Sequence, residues 1–205
     1  MYDYFDIADS LELKPEPKGC RYFDCIGGTK EKRYYIAPEN ISRGEFLEKY
    51  EHLLDECILP VYKHNGICVR QDPSFPIPGF YIISPVDHYP ALDKMDFVLH
   101  SRLFFILYKI RSIMRIELNI QHINIYYEEK PKRSCNVHFI LLPIYLEPYP
   151  RLYDLNLNEY LFQYEFLFSK YKKSILEHNH KMKNYIKKIN LQEQDNNFTK
   201  NISIY

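Results

Sequence analysis

The chain has 205 residues and carries 27 basic and 27 acidic side chains, so its formal net charge is zero. A balanced charge produces no overall field that attracts nucleic acid or an anionic membrane. The length suits one domain with an appendage and is enough to bury a sizeable core. Only six glycines are present, which argues against repeated glycine-rich phosphate loops.

The cysteine usage indicates a reducing compartment. There are five cysteines, an odd number at irregular spacing, in a chain too long to depend on a disulfide framework. The acidic segment 1–6 lacks the basic and apolar regions of a signal peptide. No apolar segment is long enough to cross a bilayer. We therefore expect a cytoplasmic protein that does not enter a membrane.

The first part of the chain predicts a short strand and a helix. Residues 1–19 are polar and rich in turn-forming residues, and residues 33–38 have a strand pattern. Ser42 with Glu45 forms a capping box that begins a helix, and Pro60 ends it.

The middle of the chain predicts an α+β domain. Strands are expected at 66–72 and 80–85, separated by a proline-rich turn that forbids regular pairing. A long amphipathic helix follows at 92–118, and further strands are expected at 122–128 and 136–145. This order indicates a mainly antiparallel sheet with the helix packed on one face, in a domain that spans residues 1–150.

The rest of the chain predicts an extra helix and a tail. Residues 151–190 carry apolar side chains at helical spacing with lysines on the other faces, and residues 191–205 are expected to be disordered. The helix either packs on its own domain or presents a basic surface to a partner or nucleic acid. Packing is favoured, because lysines on a helix are ordinarily solvated.

The strand near the end of the domain contains one histidine in an apolar run. Side chains alternate between the two faces of a strand, so Asn136, His138 and Ile140 share one face, whereas Val137 and Phe139 point into the core. His138 is then either a reactive imidazole on the open face of the sheet or a core histidine bonded to the backbone.

Residues 66–145 resemble the histidine-triad (HIT) superfamily in the order and spacing of their motifs. Pro78-Gly79 is similar to the family's Pro-Gly-His turn, with Phe80 in place of histidine. The strand that ends at Pro143 resembles the histidine-x-histidine-x-histidine-x-x-proline signature, of which only the middle histidine, His138, is kept. Asn136 and Ile140 occupy the outer positions.

The resemblance implies a nucleotide phosphohydrolase or nucleotidyltransferase. In the family the middle histidine attacks an α-phosphate, and water or another acceptor resolves the nucleotidyl-histidine; covalent catalysis of this kind divides one difficult displacement into two. The alternative is a catalytically weakened HIT-like module that binds a nucleotide or a protein partner. The loss of the outer histidines favours that alternative, and the survival of the middle one opposes it. A third possibility is an unrelated fold.

Several further residues receive roles from the resemblance. With His138 as the nucleophile, Asn136 and His88 are expected to help position the phosphate at the catalytic centre. Five residues are predicted to contact substrate: Asp72, Asn124, Ser134, Lys132 and Arg133. Each also has an ordinary structural explanation: a strand-end carboxylate, a strand-edge amide, a loop hydroxyl, a solvated basic turn, and for His88 an exposed loop position.

No cofactor is expected. Cys20 and Cys25 resemble a zinc pair at the limit of the usual spacing, but no second pair is evident, so buried or incidental thiols are the favoured interpretation. The expected partner is a nucleotide-containing small molecule. A homodimer is possible by the resemblance, and nucleic acid is not expected.

Overall fold

The computed structural model describes residues 56–72, 77–87, 89–129, 137–145 and 157–202. Within them a five-stranded sheet is combined with three α-helices, as expected for the predicted α+β class. The elements are β1 (Tyr62–His64), β2 (Ile67–Gln71), β3 (Tyr81–Pro85), α1 (Phe97–Glu117), β4 (Ile123–Glu128), β5 (His138–Pro143), α2 (Leu157–Lys188) and α3 (Leu191–Ile202). Short 3-10 turns occupy Glu56–Ile58 and Leu92–Lys94.

All neighbouring strands are antiparallel, in the order β1-β2-β3-β5-β4. The four predicted strands of this region are confirmed, each within a few residues of its expected bounds. β1 was not predicted. It joins β2 through Asn65 and Gly66, which both have positive φ values of 44° and 80°, the backbone of a tight two-residue hairpin turn.

Helix α1 is shorter at its start than the predicted 92–118. Asp96 caps it, because its side chain accepts a hydrogen bond from the Leu99 amide at 2.8 Å. The helix ends before Asn119, whose φ of 55° is the left-handed conformation common after a helix.

One face of the sheet packs against the helices and forms the main core. The sheet contributes Ile83 and Leu141, and α1 contributes a buried stripe that includes Leu103, Ile106 and Ile110. Alternate residues of a strand point to opposite faces of the sheet. The face away from the helices therefore carries the other half of the strand side chains.

Helix α2 packs on its own domain, as the favoured interpretation predicted. Tyr171, Ile175 and Met182 are buried along one stripe, whereas Lys170 and Lys181 are exposed. Asn179 is buried in the same stripe; it accepts a hydrogen bond from the Tyr81 hydroxyl at 3.1 Å and donates one to the Cys57 carbonyl at 2.9 Å.

The prediction of a disordered tail at 191–205 is wrong for the residues described. Residues 191–202 form α3, which begins after a sharp break at Asn190, where φ is 51°. Leu191 and Asp195 are fully buried. The sequence of this segment is too polar to predict burial, because a charged side chain, Asp195, rather than an apolar one attaches it to the domain.

Asp195 is the centre of a buried polar network. Its carboxylate accepts two hydrogen bonds from the Arg102 guanidinium, at 2.9 and 2.6 Å, and one from the Tyr62 hydroxyl at 2.9 Å. Arg102 also donates to the Asn65 carbonyl at 2.6 Å. Burial raises the pKa of the Tyr62 hydroxyl. This network ties α3 to α1 and to the β1–β2 hairpin.

The predicted strand at 33–38 and nearly all of the helix that begins at Ser42 lie outside the described residues. Among the residues that the structure does describe, no helix is long and apolar enough to cross a membrane.

We expect Asp195→Ala to lower the free energy of unfolding by about 3–5 kcal/mol, because it leaves the buried Arg102 charge uncompensated. Urea denaturation measures the loss. Glu193→Ala, a change at an exposed position of the same helix, is the matched control and should cost under about 1 kcal/mol. Equal losses in the two variants would show that the ion pair does not hold α3 in place.

Candidate functional site

The side chains of β5, and of Val137 directly before it, alternate between the two faces of the sheet as predicted. Val137, Phe139 and Leu141 are buried in the main core with the helices. His138, Ile140 and Leu142 therefore point to the opposite face. The prediction that the histidine leaves the core face is confirmed.

His138 belongs to a row of polar side chains that crosses the whole sheet. The strand register pairs Lys63 with Cys68, Cys68 with Ser84, and His138 with Glu128. Ser84 and His138 are the next pair after Ile83 and Phe139. Directly paired residues have Cβ atoms about 4.5–5.5 Å apart on one face. We call Lys63, Cys68, Ser84, His138 and Glu128 the polar row.

The closest contact in the polar row joins an imidazole to a carboxylate. His138 Nε2 lies 3.3 Å from Glu128 Oε2, and the side chains are 10% and 39% exposed, respectively. A carboxylate on one ring nitrogen sets where the ring holds its proton. The imidazole is therefore held from the neighbouring strand, and the carboxylate remains accessible to solvent. His138 makes a further interaction besides this contact.

Two members of the polar row were not identified from the sequence. Cys68 is a buried cysteine. Ser84 is buried, and its hydroxyl forms no hydrogen bond in the part of the chain that the structure describes. Their position next to His138 depends on the strand register, which neither residue indicates by itself.

The same face becomes apolar toward its other end. Ile77, Phe80 and Leu142 form a small buried cluster, against which Ile140 packs. Phe80 and Ile140 are the positions at which the family resemblance would place histidines. Two of the three lost histidines thus coincide with one apolar cluster.

Asp72 and Asn124 lie at that apolar end. Asp72 is buried, and its amide donates to the Phe80 carbonyl at 2.7 Å. Asn124 pairs with Leu142, and its side-chain amide donates to the Tyr126 hydroxyl at 3.3 Å. His138 is four strand residues from this level, about 13 Å along the sheet. The structure therefore does not bring Asp72 or Asn124 next to His138, and their binding roles stay predictions.

The other predicted site residues lie outside the described residues; these are Asn136, His88, Ser134, Lys132 and Arg133. The residues that follow His88 and Asn136 in the chain are hydrogen-bonded to each other. The Val137 amide donates a hydrogen bond to the Tyr89 carbonyl at 2.8 Å, which connects the segment after β3 to the start of β5.

A metal site is also not apparent in the described ranges, where no group of three or more histidine, cysteine, aspartate or glutamate side chains could hold an ion. Cys20 and Cys25 lie outside those ranges, so the expectation about zinc stays a prediction.

Solved structures similar to this chain include HIT proteins. A HIT-like protein from Bartonella henselae is 13% identical, with a TM-score of 0.45 over 72% of this chain and 98% of that one. A HIT family protein from Bacillus anthracis is 18% identical, with a TM-score of 0.42 over 67% of this chain and 99% of that one. A hypothetical histidine triad nucleotide-binding protein from Sulfolobus tokodaii is 15% identical, with a TM-score of 0.43 over 67% and 93%.

No protein-family model matches the sequence, and the search of curated proteins gives no match. At the identities and TM-scores given above, similarity to solved structures does not assign an activity. The function of this chain has to be argued from its own site.

We expect the apolar end of this face to be structural. Phe80→His should lower the free energy of unfolding by about 2 kcal/mol more than Phe80→Leu, because it places a polar ring where apolar side chains surround it. Chemical denaturation of the two variants makes the comparison. A histidine variant as stable as the leucine variant would mean that position 80 offers a polar partner, and the site would then extend to it.

Proposed function

We propose that this protein hydrolyses or transfers a nucleotide phosphoester, with His138 as the nucleophile on an α-phosphate. The single observation that carries the proposal is the contact between His138 and Glu128 on the face of the sheet away from the helices. The Glu128 carboxylate in that contact is partly exposed, so the pair lies at the boundary between the sheet and solvent.

The chemistry suits the surroundings of the imidazole. A nucleophilic nitrogen must be held in one orientation and in the correct protonation state. The neighbouring strand β4 supplies Glu128, which is paired with His138 and holds the ring from one side. The part of the substrate beyond the phosphate is proposed to be a nucleoside from the family resemblance rather than from a contact.

The second candidate is a HIT-like binding module with little or no catalysis. The apolar cluster around Phe80 and Ile140 favours it, because neither position can donate a hydrogen bond to a phosphate oxygen. The limited exposure of the His138 side chain also favours it. The two candidates differ in whether a covalent intermediate forms.

We further propose a cytoplasmic location and a homodimer. The five cysteines are odd in number and irregularly spaced, which suits a reducing compartment. β4 is an edge strand, and an unpaired edge invites pairing with another strand. Exposed apolar side chains continue from β4 onto α1: Ile125, Tyr126, Tyr127, Phe104, Phe97 and Tyr108. Phe139 connects the two elements, since its ring packs 5.2 Å from that of Phe104 and 5.4 Å from that of Tyr127.

The covalent step is tested by intact-protein mass after incubation with a panel of nucleotides. We expect the wild type to gain the mass of one nucleotidyl group and to turn the substrate over, whereas His138→Ala should do neither and stay folded, because covalent catalysis needs its nucleophile. His122→Ala, at an exposed histidine, is the control and should behave as the wild type. Binding of a nucleotide without adduct or turnover in the wild type would favour the second candidate.

The dimer is tested by sedimentation of a charged variant. Ile125→Lys together with Tyr108→Glu should weaken self-association at least about 30-fold, because each change puts a charge into an apolar interface. Gln192→Lys, an exposed change on α3, should leave the dissociation constant unaltered. A wild-type protein that sediments as a monomer at high concentration would contradict the proposed dimer.

A further inference from the structure

Glu128 lies closest to the reactive nitrogen among the described carboxylates. It occupies the position directly opposite His138 on β4. Oε2 is 3.3 Å from Nε2, slightly longer than the distance for proton transfer, and contacts of this kind shorten when a substrate binds. The Glu128 side chain is about two-fifths exposed, so the carboxylate is able to reach solvent or a substrate.

Glu129, the residue directly after β4, makes different contacts. Glu129 accepts hydrogen bonds from the Tyr127 hydroxyl and from the Leu92 amide, the latter at 3.2 Å. Desolvation and the bond to Glu129 raise the pKa of Tyr127 to about 12. The two adjacent glutamates therefore act separately, and only the contact of Glu128 involves the imidazole.

We propose that Glu128 is the general acid and base of the reaction at His138. This inference rests on the proposed function and adds the residue that moves the proton. Phe80 and Ile140 replace histidines that could have done so, and both are apolar. Lys63, at the far end of the polar row, is three strands from β5, about 14 Å away. Glu128, on the neighbouring strand, supplies the ionisable group that those positions lack.

The proton follows a balanced path. The proposed reaction starts from an imidazolium, with protons on both ring nitrogens, beside a carboxylate. Transfer from Nε2 to Glu128 leaves a neutral imidazole with a lone pair on Nε2 and a carboxylic acid beside it. Nε2 then forms a bond to the α-phosphorus as the bond from phosphorus to the leaving oxygen breaks, and Glu128 gives its proton to that oxygen.

The second step reverses these roles. The Glu128 carboxylate takes a proton from water as the water oxygen bonds to phosphorus. The bond between phosphorus and Nε2 breaks, and its electron pair returns to the ring nitrogen. The product carries the new oxygen, and the pair regains its starting protons when the carboxylic acid protonates Nε2. A net neutral pair also avoids the repulsion that an isolated carboxylate would exert on an approaching phosphate.

The test compares Glu128→Gln with the matched control Glu129→Gln on two kinds of substrate. One is a nucleoside 5′-phosphate ester of 4-nitrophenol, whose leaving group departs without a proton. The other is the ethyl ester, whose leaving group needs one. We expect Glu128→Gln to lower kcat on the ethyl ester at least about 100-fold and much less on the nitrophenyl ester during formation of the adduct, because general acid catalysis contributes about 10²–10⁴-fold.

The adduct should also persist longer in Glu128→Gln, because its hydrolysis has lost the general base. A Glu128→Gln variant that matches Glu129→Gln, or that loses the same factor on both esters, overturns the assignment of Glu128 and leaves His138 as the nucleophile. A wild-type protein that neither turns over nor forms an adduct with either ester, across the common bases, overturns the proposed function and this inference with it.

Discussion

The register of β5 between β3 and β4 is the constraint on which the rest of the site depends. Because side chains alternate, one registration puts Phe139 and Leu141 into the core and His138 on the opposite face beside Glu128. A slip of one residue would exchange the two sets, burying the imidazole among the helices and exposing the apolar residues. The burial of Val137, Phe139 and Leu141 therefore stabilises the fold and, through the same pairing, fixes the position of the His138 imidazole.

The parts of the fold that follow from local patterns could be predicted. The alternation along β5, the proline-rich turn before β3 and the periodicity of α1 each appear within a few residues of sequence. β1 was missed although Asn65-Gly66 is a strong hairpin signal, because the strand has only three residues. The start of α3 was missed because Asp195 is buried through Arg102, a partner 93 residues away. Asn190 was the one local indication of a break between α2 and α3.

Of the candidate site, only the central residue could be predicted from the sequence. His138 stands out because it interrupts an apolar run. Glu128 and Ser84 do not, since their importance arises from pairing between strands that are distant in the sequence. Asp72 and Asn124 were assigned by resemblance and lie at the apolar end of the same face, about 13 Å along the strands from His138. An inference from motif order thus placed these residues on the same face as His138 but could not tell which end of it they occupy.

The most direct test of the account is a crystal structure of the protein with a non-hydrolysable nucleotide. The central proposal is that His138, paired with Glu128, attacks the α-phosphate of a nucleotide. We expect the α-phosphate within hydrogen-bond distance of His138 Nε2, with Glu128 turned toward the leaving group and β5 in the register described above. A nucleotide bound elsewhere, or a β5 register in which His138 faces the helices, would contradict the account.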